Sequence, residues 1–457
     1  MSLSPESPVP LINQLPSELL SKIFEKCIEH IIGNLTYHEA ASMLGPEYPS
    51  LVVSHVGRRW RDIALDSPVL WQWFSIRPCR NRSHQRLASL FAARVRGSGL
   101  HIRAVGDKDE EIRGAGLEPC DCALNFIVRH TPTIVELELD DPSDDTANNL
   151  WQRTSPSLKR FALTIGWVPA TPRVVELLSS TFLMRGVHDL HWESATFAPE
   201  LVNWANMRSL RLERADIDRR TFLHIVSSAP HLHHLQIRVT NSPLGESFAH
   251  TAAPYRLDAL EELEMHGNGA QDELFRDLHT PWLRRFSLEI DDNLGNEEGS
   301  YHGWPFADIA VLLDFLRRTQ GTMERLALRG GQTLDESAVL RIIEMPQMSA
   351  LKILRIQRVA GDVGDAAFAK LGPEGRDDEG RALLPHLERL TLFTCHTTDG
   401  VMSRMMEFRR EQGYPLVMLR VKYPPGVYGP SPIDLASFEA LNKLDRWIIT
   451  SNLASLG

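Results

Sequence analysis

The chain has 457 residues, a formal net charge of −10 at pH 7 and five cysteines. A general nucleic-acid binder usually carries a basic excess, so this charge argues against that class and mildly favours a protein partner, although ordinary solubility explains it equally well. The cysteines are too few for a disulfide framework, and no apolar run approaches the roughly 20 residues that span a bilayer. We therefore expect a protein of the cytoplasm, the nucleus or both, with no membrane and no nucleic-acid partner.

The first strong helical pattern follows a disordered, Ser/Pro-rich start predicted at residues 1–11. Leu15-Pro16-Ser17-Glu18 is typical of a helix start, because proline is tolerated in a first turn and an acid suits the positive end of the helix dipole. One apolar stripe at helical spacing then includes Leu19, Leu20, Ile23, Phe24, Cys27, Ile28 and Ile31. We predict a second helix at about residues 52–65 and a short third one that begins at Ser67-Pro68.

Three ordered blocks of residues characterise these predicted helices. They are Leu15-Pro16-x-Glu18-Leu19-Leu20-x-x-Ile23-Phe24, Val53-Ser54-x-Val56-x-Arg58-Arg59-Trp60-Arg61-x-Ile63-Ala64 and Ser67-Pro68-x-Leu70-Trp71. Over residues 12–75 these blocks resemble the F-box domain. The resemblance implies docking on the Skp-type adaptor of a cullin–RING ubiquitin ligase, while the attached domain holds a substrate. The stretch 27–50 is longer than the family's usual connection, so it is expected to extend the first helix or to alter the docking face.

The same resemblance implies which residues contact the adaptor. They are Leu15, Pro16, Leu19, Leu20, Ile23, Val56 and Trp60. Each of these apolar side chains is also a candidate for the core of the three helices. A unit of about 60 residues is marginally stable alone, and apolar surface left exposed on it marks a partner site.

Beyond residue 75 the chain repeats a pattern with apolar residues at its first, fourth and sixth positions. The pattern occurs eleven times, with its central residue at Leu137, Phe161, Leu190, Leu210, Leu235, Leu263, Phe286, Leu326, Leu354, Leu390 and Leu419. Most intervals lie between 20 and 29 residues, which is the usual period of leucine-rich repeats. The intervals of 40 and 36 residues contain predicted loops at 291–303 and 361–378.

Helical stretches lie between these predicted strands. Examples are residues 174–183, 221–228, 306–318, 337–343 and 401–410. Two weaker strand-and-helix repeats precede the run, with strands at 73–76 and 100–105 and helices at 85–95 and 123–130. We expect them to connect the first helices to the other repeats without a flexible linker. The predicted fold is therefore α/β: a short all-α F-box at 12–75, an irregular leucine-rich-repeat solenoid with a parallel concave sheet at 76–435, and a helical C-terminal cap at 436–457. One doubly wound sheet is the alternative.

Strand alternation predicts which side chains line the concave face of the sheet. In the first six repeats eight acids stand against three bases: Glu136, Glu138, Asp140, Asp189, Glu193, Glu213, Glu262 and Glu264 against Arg160, Arg211 and Arg238. In the last five repeats one acid, Glu289, stands against Arg285, Arg325, Arg329, Arg355, Arg389, Arg420 and Lys422, with Ile353, Phe393 and Met418 as apolar anchors. We predict a partner-binding face that is acidic near the F-box and basic near the C-terminus. A merely solvated face with a chance split is the alternative.

Catalytic and metal-binding patterns are weak. His231 and His233 have no nameable third ligand, and Cys120 with Cys122 lacks a partner pair, so we expect no catalytic residue, no metal and no cofactor. The predicted function is a non-enzymatic substrate-recognition adaptor that links an unknown target protein to a ubiquitin ligase. An interaction scaffold that does not deliver ubiquitin, or an unrecognised enzyme in the repeat insertions, are the alternatives.

Overall fold

The computed structural model divides the chain into two compact units, residues 1–203 and 204–457. The structure describes residues 11–457 with these gaps: 35–47, 77–82, 105–121, 167–168, 181–185, 241–254, 268–270, 291–305, 307, 331–333, 359–362, 377–379, 394, 396, 415, 423–430, 446–447 and 452–457. The predicted domain limits at 11, 75 and 435 stay predictions, and the predicted start at 1–11 and the loop at 291–303 lie almost wholly outside the described residues.

Short helices open the first unit. They are a 3-10 turn at Leu11–Gln14, α1 at Ser17–Asn34, α2 at Pro49–Val56, α3 at Arg58–Asp66 and a 3-10 turn at Pro68–Trp71. The helix expected at 52–65 is wrong in one respect: extended backbone at Gly57 divides it into α2 and α3. The beginning of the long stretch 27–50 extends α1 as far as Asn34, which was one of the two outcomes expected for that stretch. None of the described helices is both long enough and apolar enough to cross a bilayer.

The sheet of the first unit is parallel, and its strands lie side by side in chain order. Among the described residues it comprises β1 (Trp73–Ile76), β2 (Leu100–Ala104), β3 (Ile134–Asp140), β4 (Arg160–Thr164) and β5 (Asp189–Glu193). Helices follow most of these strands: α4 (Ser83–Val95), α5 (Cys122–His130), α6 (Asp144–Trp151) and α7 (Pro172–Glu176). In β1 and β5 every second residue is an apolar side chain in the core, which the alternation of a strand produces.

An aromatic cluster joins the N-terminal helices to the first strand and helix of the sheet. Phe91 on α4 lies 5.0 Å from Trp71, 4.8 Å from Tyr48 and 5.2 Å from Phe74 between ring centroids. The hydroxyl of Tyr48 also donates a hydrogen bond to the backbone carbonyl of Trp73. Because Trp71 and Phe91 are fully buried, the helices that precede β1 are packed onto the sheet rather than tethered by a loose segment.

The second unit repeats the same arrangement. Its described strands are β6 (Ser209–Ile217), β7 (His234–Val239), β9 (Glu262–Gly267), β11 (Arg285–Ile290), β12 (Arg325–Gly330), β13 (Ile353–Arg358), β14 (Arg389–Phe393), β15 (Met418–Lys422) and β16 (Ile448–Ser451), paired in parallel and in chain order. The short strands β8 (Tyr255–Arg256) and β10 (Leu278–His279) form a separate pair. The helices are α8 (Arg219–Ser228), α9 (Asp272–Asp277), α10 (Ile309–Arg317), α11 (Glu336–Ile343), α12 (Asp365–Leu371), α13 (Val401–Glu411) and α14 (Pro432–Asp445).

The helices pack on one face of this sheet. The ring centroid of Phe286 on β11 lies 5.8 Å from that of Phe275 on α9 and 5.2 Å from that of Phe315 on α10. Since side chains alternate along a strand, Arg285, Ser287 and Glu289 point to the opposite face. We call the face that points away from the helices the open face of each sheet.

Carboxylates from one repeat bind backbone amides of another and hold successive repeats together. Asp434 on α14 is fully buried and accepts hydrogen bonds from the amides of Gly400 and Ser403, at 3.3 and 2.8 Å, at the start of α13. Glu336 on α11 accepts from Gly364 and Ala367 at 3.0 and 3.1 Å at the start of α12. The first amides of a helix have no partner within it, so these acids satisfy donors that would otherwise be buried unpaired.

The structure confirms the strand pattern and corrects parts of the helix pattern. All eleven predicted strands and the two weaker ones are present, and strand order within each unit follows the chain, which rules out a doubly wound order there. The loop predicted at 361–378 is wrong in part, because it contains α12. The terminal helix begins earlier than expected, at Pro432, and β16 follows it.

Candidate functional site

Exposed apolar side chains are concentrated on the N-terminal helices. Six of the thirteen large apolar side chains that are exposed among the described residues lie between positions 11 and 56. They are Leu11 (82% exposed), Ile12 (42%), Leu19 (48%), Ile23 (38%), Val52 (47%) and Val56 (59%), and we call them the N-terminal apolar patch. Residues four apart share a helix face, so Leu19 with Ile23 and Val52 with Val56 form two pairs on packed helices.

The residues that resemble an adaptor-binding set divide between surface and core. Leu19, Ile23 and Val56 belong to the N-terminal apolar patch, Pro16 is exposed, and Leu15 is half-buried. Trp60 is also half-buried: its indole N–H donates to the side-chain oxygen of Asn13 at 2.7 Å, and its ring lies 4.8 Å from Phe24. The patch includes three residues that the resemblance did not indicate.

Leu20 is a correction to the predicted adaptor-binding set. Its side chain is 0% exposed, so it belongs to the core of the N-terminal helices and not to a surface that a partner reaches. The apolar stripe of α1 is wider than one contact face. Its inner residues, Leu20, Phe24 and Ile28, pack against the other helices, and its outer residues, Leu19 and Ile23, remain in solvent.

The open face of the first unit is held by ion pairs between neighbouring strands. Trp73 stacks on His101 with 4.2 Å between ring centroids, and the Nδ1 atom of His101 lies 2.9 Å from a carboxylate oxygen of Glu136. The other oxygen of Glu136 lies 3.0 Å from Arg160, and Arg103 lies 3.2 Å from Glu138. The two predicted surface acids are therefore already paired with bases, so this face is less acidic than the sequence alone indicates.

Asp140 is a second correction, because its side chain is 2% exposed rather than part of an accessible surface. It ends β3, and in register it faces Thr164 on β4. Burial, together with the smaller effect of the nearby charges of Asp141 and Glu193, raises the pKa of Asp140 to about 7. Near neutral pH this carboxyl group is therefore partly protonated.

Replacing Asp140 by asparagine is expected to stabilise the protein at pH 8. The pKa of Asp140 is higher in the folded than in the unfolded chain, so the folded state loses stability as pH rises from about 4 to 7 and remains penalised above that range. An asparagine side chain at this position carries no such charge, and we expect a gain of about 2 kcal/mol at pH 8 that shrinks by pH 5. Urea unfolding at the two pH values measures it. Glu138→Gln serves as the control and should show no gain, because it breaks the pair with Arg103.

The open face of the second unit has a clear order of residues in register. One row across the strands consists of His234, Glu262, Arg285, Arg325, Ile353, Arg389 and Met418. The next row consists of Gln236, Glu264, Ser287, Ala327, Arg355, Thr391 and Arg420. Phe393 and Lys422 stand in a third row, but their side chains lie outside the described residues.

Acids at the start of this face are paired with bases. The Nδ1 atom of His234 lies 2.9 Å from Glu262, and Arg285 lies 3.0 Å from the same carboxylate. The hydrogen bond with His234 holds the pKa of Glu262 below its usual range, and the charge of Arg285 acts in the same direction. Glu289 on β11 lies 3.1 Å from Arg355. These contacts link β7 to β9, β9 to β11 and, across β12, β11 to β13, so they stabilise the register of the strands as well as the charges.

Beyond these pairs the face is strongly basic. Six described arginines lie on the open face of β11–β15 and we call them the arginine surface: Arg285, Arg325, Arg329, Arg355, Arg389 and Arg420. One acid, Glu289, accompanies them among the described side chains there. The basic half of the predicted charge split thus lies on one continuous sheet. The split between the two ends of the chain stays a prediction.

His231 and His233, the two histidines considered as metal ligands, do not lie on a strand. β7 begins at His234, so His231 and His233 precede it, and the Nδ1 atom of His233 lies 3.5 Å from Glu261. Cys120 lies outside the described residues. Neither pattern adds a candidate catalytic or metal-binding group to the surfaces described above.

Comparison with known proteins gives structural likeness only. No family model matches the sequence, and no curated protein matches it significantly. Among solved structures, the complex of Rad7 and Elc1 from yeast matches with 13% identity over 84% of this chain and 90% of that chain, at a TM-score of 0.44. A protein from Bacteroides fragilis matches with 11% identity over 77% and 85%, at a TM-score of 0.30. Likeness of this size carries no argument about function.

Proposed function

We propose that this protein is a non-enzymatic substrate-recognition adaptor of a ubiquitin ligase. Its N-terminal helices dock on the Skp-type adaptor of a cullin–RING ligase, and its leucine-rich-repeat sheet selects a protein target. The observation that carries the proposal is how the F-box-like residues divide. On α1, Leu20 and Phe24 are buried whereas Leu19 and Ile23 are exposed. Trp71 in the following 3-10 turn is buried, and Val56 at the end of α2 is exposed.

A division of this kind is what a docking module requires. The buried set holds the short helices together, and the exposed set leaves apolar area in water at a cost of about 25 cal/mol for each Å². Apolar groups clustered on one surface are removed from water when a partner covers them, and such clusters mark interaction sites. Scattered single exposed residues would carry no such implication.

The packing of these helices against the sheet also supports the proposal. The aromatic contacts of Phe91 with Trp71 and Tyr48 attach the docking helices to the first strand and helix of the sheet. A ligase positions its target for transfer, so a fixed attachment of the docking helices to the sheet suits that role. The parallel strands with leucine at fixed positions, each followed by a helix, support the leucine-rich-repeat assignment.

Co-purification with a recombinant Skp-type adaptor tests the proposal. The full chain, expressed with that adaptor, is expected to elute with it as one complex in gel filtration. Reconstitution with the cullin, the RING protein and the transferring enzyme should then place ubiquitin on a protein captured by the repeats. A folded chain that elutes apart from the adaptor would contradict the proposal, and a stable complex without any transfer would favour a scaffold role instead.

A further inference from the structure

The arginine surface is not explained by the stability of the sheet. Arg285 and Arg325 are direct partners in register on neighbouring strands, and like charges opposite each other destabilise a sheet. The acids of the same face offset this only at one side, through the pairs of Arg285 with Glu262 and of Arg355 with Glu289. A face with this excess of positive charge is suited to a partner of opposite charge.

Two of the six arginines remain available to a partner. No described acid lies within ion-pair distance of Arg325 or Arg389, whereas Arg329 and Arg420 are not free. The charge of Arg325 helps to lower the pKa of Glu262 and Glu264, but neither carboxylate forms an ion pair with it. Arg325 and Arg389 belong to the same row, with Ile353 between them and Met418 beyond. The row therefore presents a base, an apolar side chain, a base and an apolar side chain on four adjacent strands.

The spacing of this row fits an extended peptide that crosses the strands. Neighbouring strands lie about 4.8 Å apart, so Arg325 and Arg389, two strands apart, are separated by about 9.6 Å at the backbone. A polyproline II segment rises about 3.1 Å per residue with three residues per turn, so its side chains return to the same face after about 9.3 Å. An acid at every third position therefore meets both arginines in turn.

We propose that the arginine surface binds an extended acidic segment of a protein whose Asp or Glu carboxylates pair with Arg325 and Arg389. This inference rests on the proposed function, since it names the chemistry of the target that the repeats select. A guanidinium group matches one carboxylate with two parallel hydrogen bonds. A phosphate dianion suits several converging cations, but the neighbour of Arg325 in the row, Arg285, is already bound to Glu262. Arg325 and Arg389 lie two strands apart, so each can pair with a carboxylate of its own.

Fluorescence polarisation with the full chain tests this binding. The probe is a fluorescein-labelled peptide of four Glu-Leu-Pro repeats, which favour the extended conformation, and its comparison peptide has four Gln-Leu-Pro repeats. We expect the Glu peptide to bind at least about tenfold more tightly than the Gln peptide, because each charge-assisted hydrogen bond contributes on that scale. Binding of the Glu peptide should weaken between about 50 mM and 300 mM NaCl, since salt screens exposed charges.

A double variant locates the binding on the sheet. Arg325→Gln with Arg389→Gln is expected to lose at least about tenfold in affinity for the Glu peptide. Arg404→Gln with Arg410→Gln removes the same charge from exposed positions of α13 and should leave the affinity unchanged. Circular dichroism is used to check that both variants are folded like the parent protein.

Several results would overturn the inference. They are equal binding of the Glu peptide by the double variant and the parent, equal loss in both double variants, and binding of a phosphoserine-Leu-Pro peptide or of single-stranded DNA in place of the Glu peptide. Elution with the Skp-type adaptor is measured on the same samples. Loss of peptide binding with adaptor elution intact removes this inference alone, whereas loss of adaptor elution with peptide binding intact removes the docking proposal alone.

Discussion

Replacing Leu19 and Val56 by aspartate is expected to weaken binding of the Skp-type adaptor by at least about 100-fold, or roughly 3 kcal/mol. Both side chains are exposed in the free protein, so the new carboxylates stay hydrated there and the free energy of unfolding changes little. Docking on an apolar partner surface would bury these charges without a counter-ion, and such burial costs several kcal/mol. Isothermal titration of the purified adaptor into the parent and the variant measures the difference.

The matched control carries the same substitutions at exposed apolar residues of the second unit. Val417 and Ile433 are 51% and 55% exposed, so Val417→Asp with Ile433→Asp changes charge and apolar surface to a similar extent. This control is expected to bind the adaptor like the parent protein. If the Leu19 and Val56 variant binds with the parent's affinity while its fold is intact, the N-terminal apolar patch is not the docking surface.

The strand pattern was predictable because it depends on local sequence alone. Apolar residues at alternate positions need one buried face, and eleven such runs at similar intervals leave few ways to bury them other than side by side. The short pair β8 and β10 has two residues in each strand, which is too short for any alternation to appear.

α12 was missed for a different reason. Its run Asp365-Ala-Ala-Phe-Ala-Lys-Leu371 is strongly helical, but the glycines and charges around it favoured a loop.

The surfaces were only partly predictable, because register and burial are not local properties. Alternation correctly assigned Glu136 and Glu262 to the open face. The arginines that neutralise them, Arg160 and Arg285, come from other strands whose alignment the sequence does not state. Asp140 follows the same alternation and is nevertheless buried at the end of its strand, where the next residue, Asp141, has a left-handed backbone with φ 43°. A charge count over alternate residues overestimates the accessible acid for that reason.

Trp71→Ala is expected to destabilise the first unit by about 4 kcal/mol, the usual range for a tryptophan in a packed core. The ring is 0% exposed. Its ring centroid lies 5.0 Å from that of Phe91 with the two rings nearly perpendicular, and the guanidinium carbon of Arg94 lies 4.1 Å from the Trp71 ring centroid. The indole N–H of Trp71 donates to the backbone carbonyl of Ala64 at 2.7 Å. The substitution therefore removes contacts between α4 and the helices before β1, along with a buried hydrogen bond.

Amide hydrogen exchange followed by mass spectrometry distinguishes a local from a general effect of this substitution. Protection of α4 and β1 should fall by at least about 100-fold, since opening free energies decrease by the lost contact energy, while β12 and β13 in the second unit keep theirs. Trp151→Ala, at a side chain that is 40% exposed, should cost less than about 1 kcal/mol. Equal protection in parent and Trp71→Ala would mean that the N-terminal helices are held by other contacts. The N-terminal apolar patch has the same sequence in Trp71→Ala as in the parent. If Trp71→Ala binds the adaptor more weakly and Trp151→Ala does not, the geometry of the patch depends on the packing of Trp71 against α4.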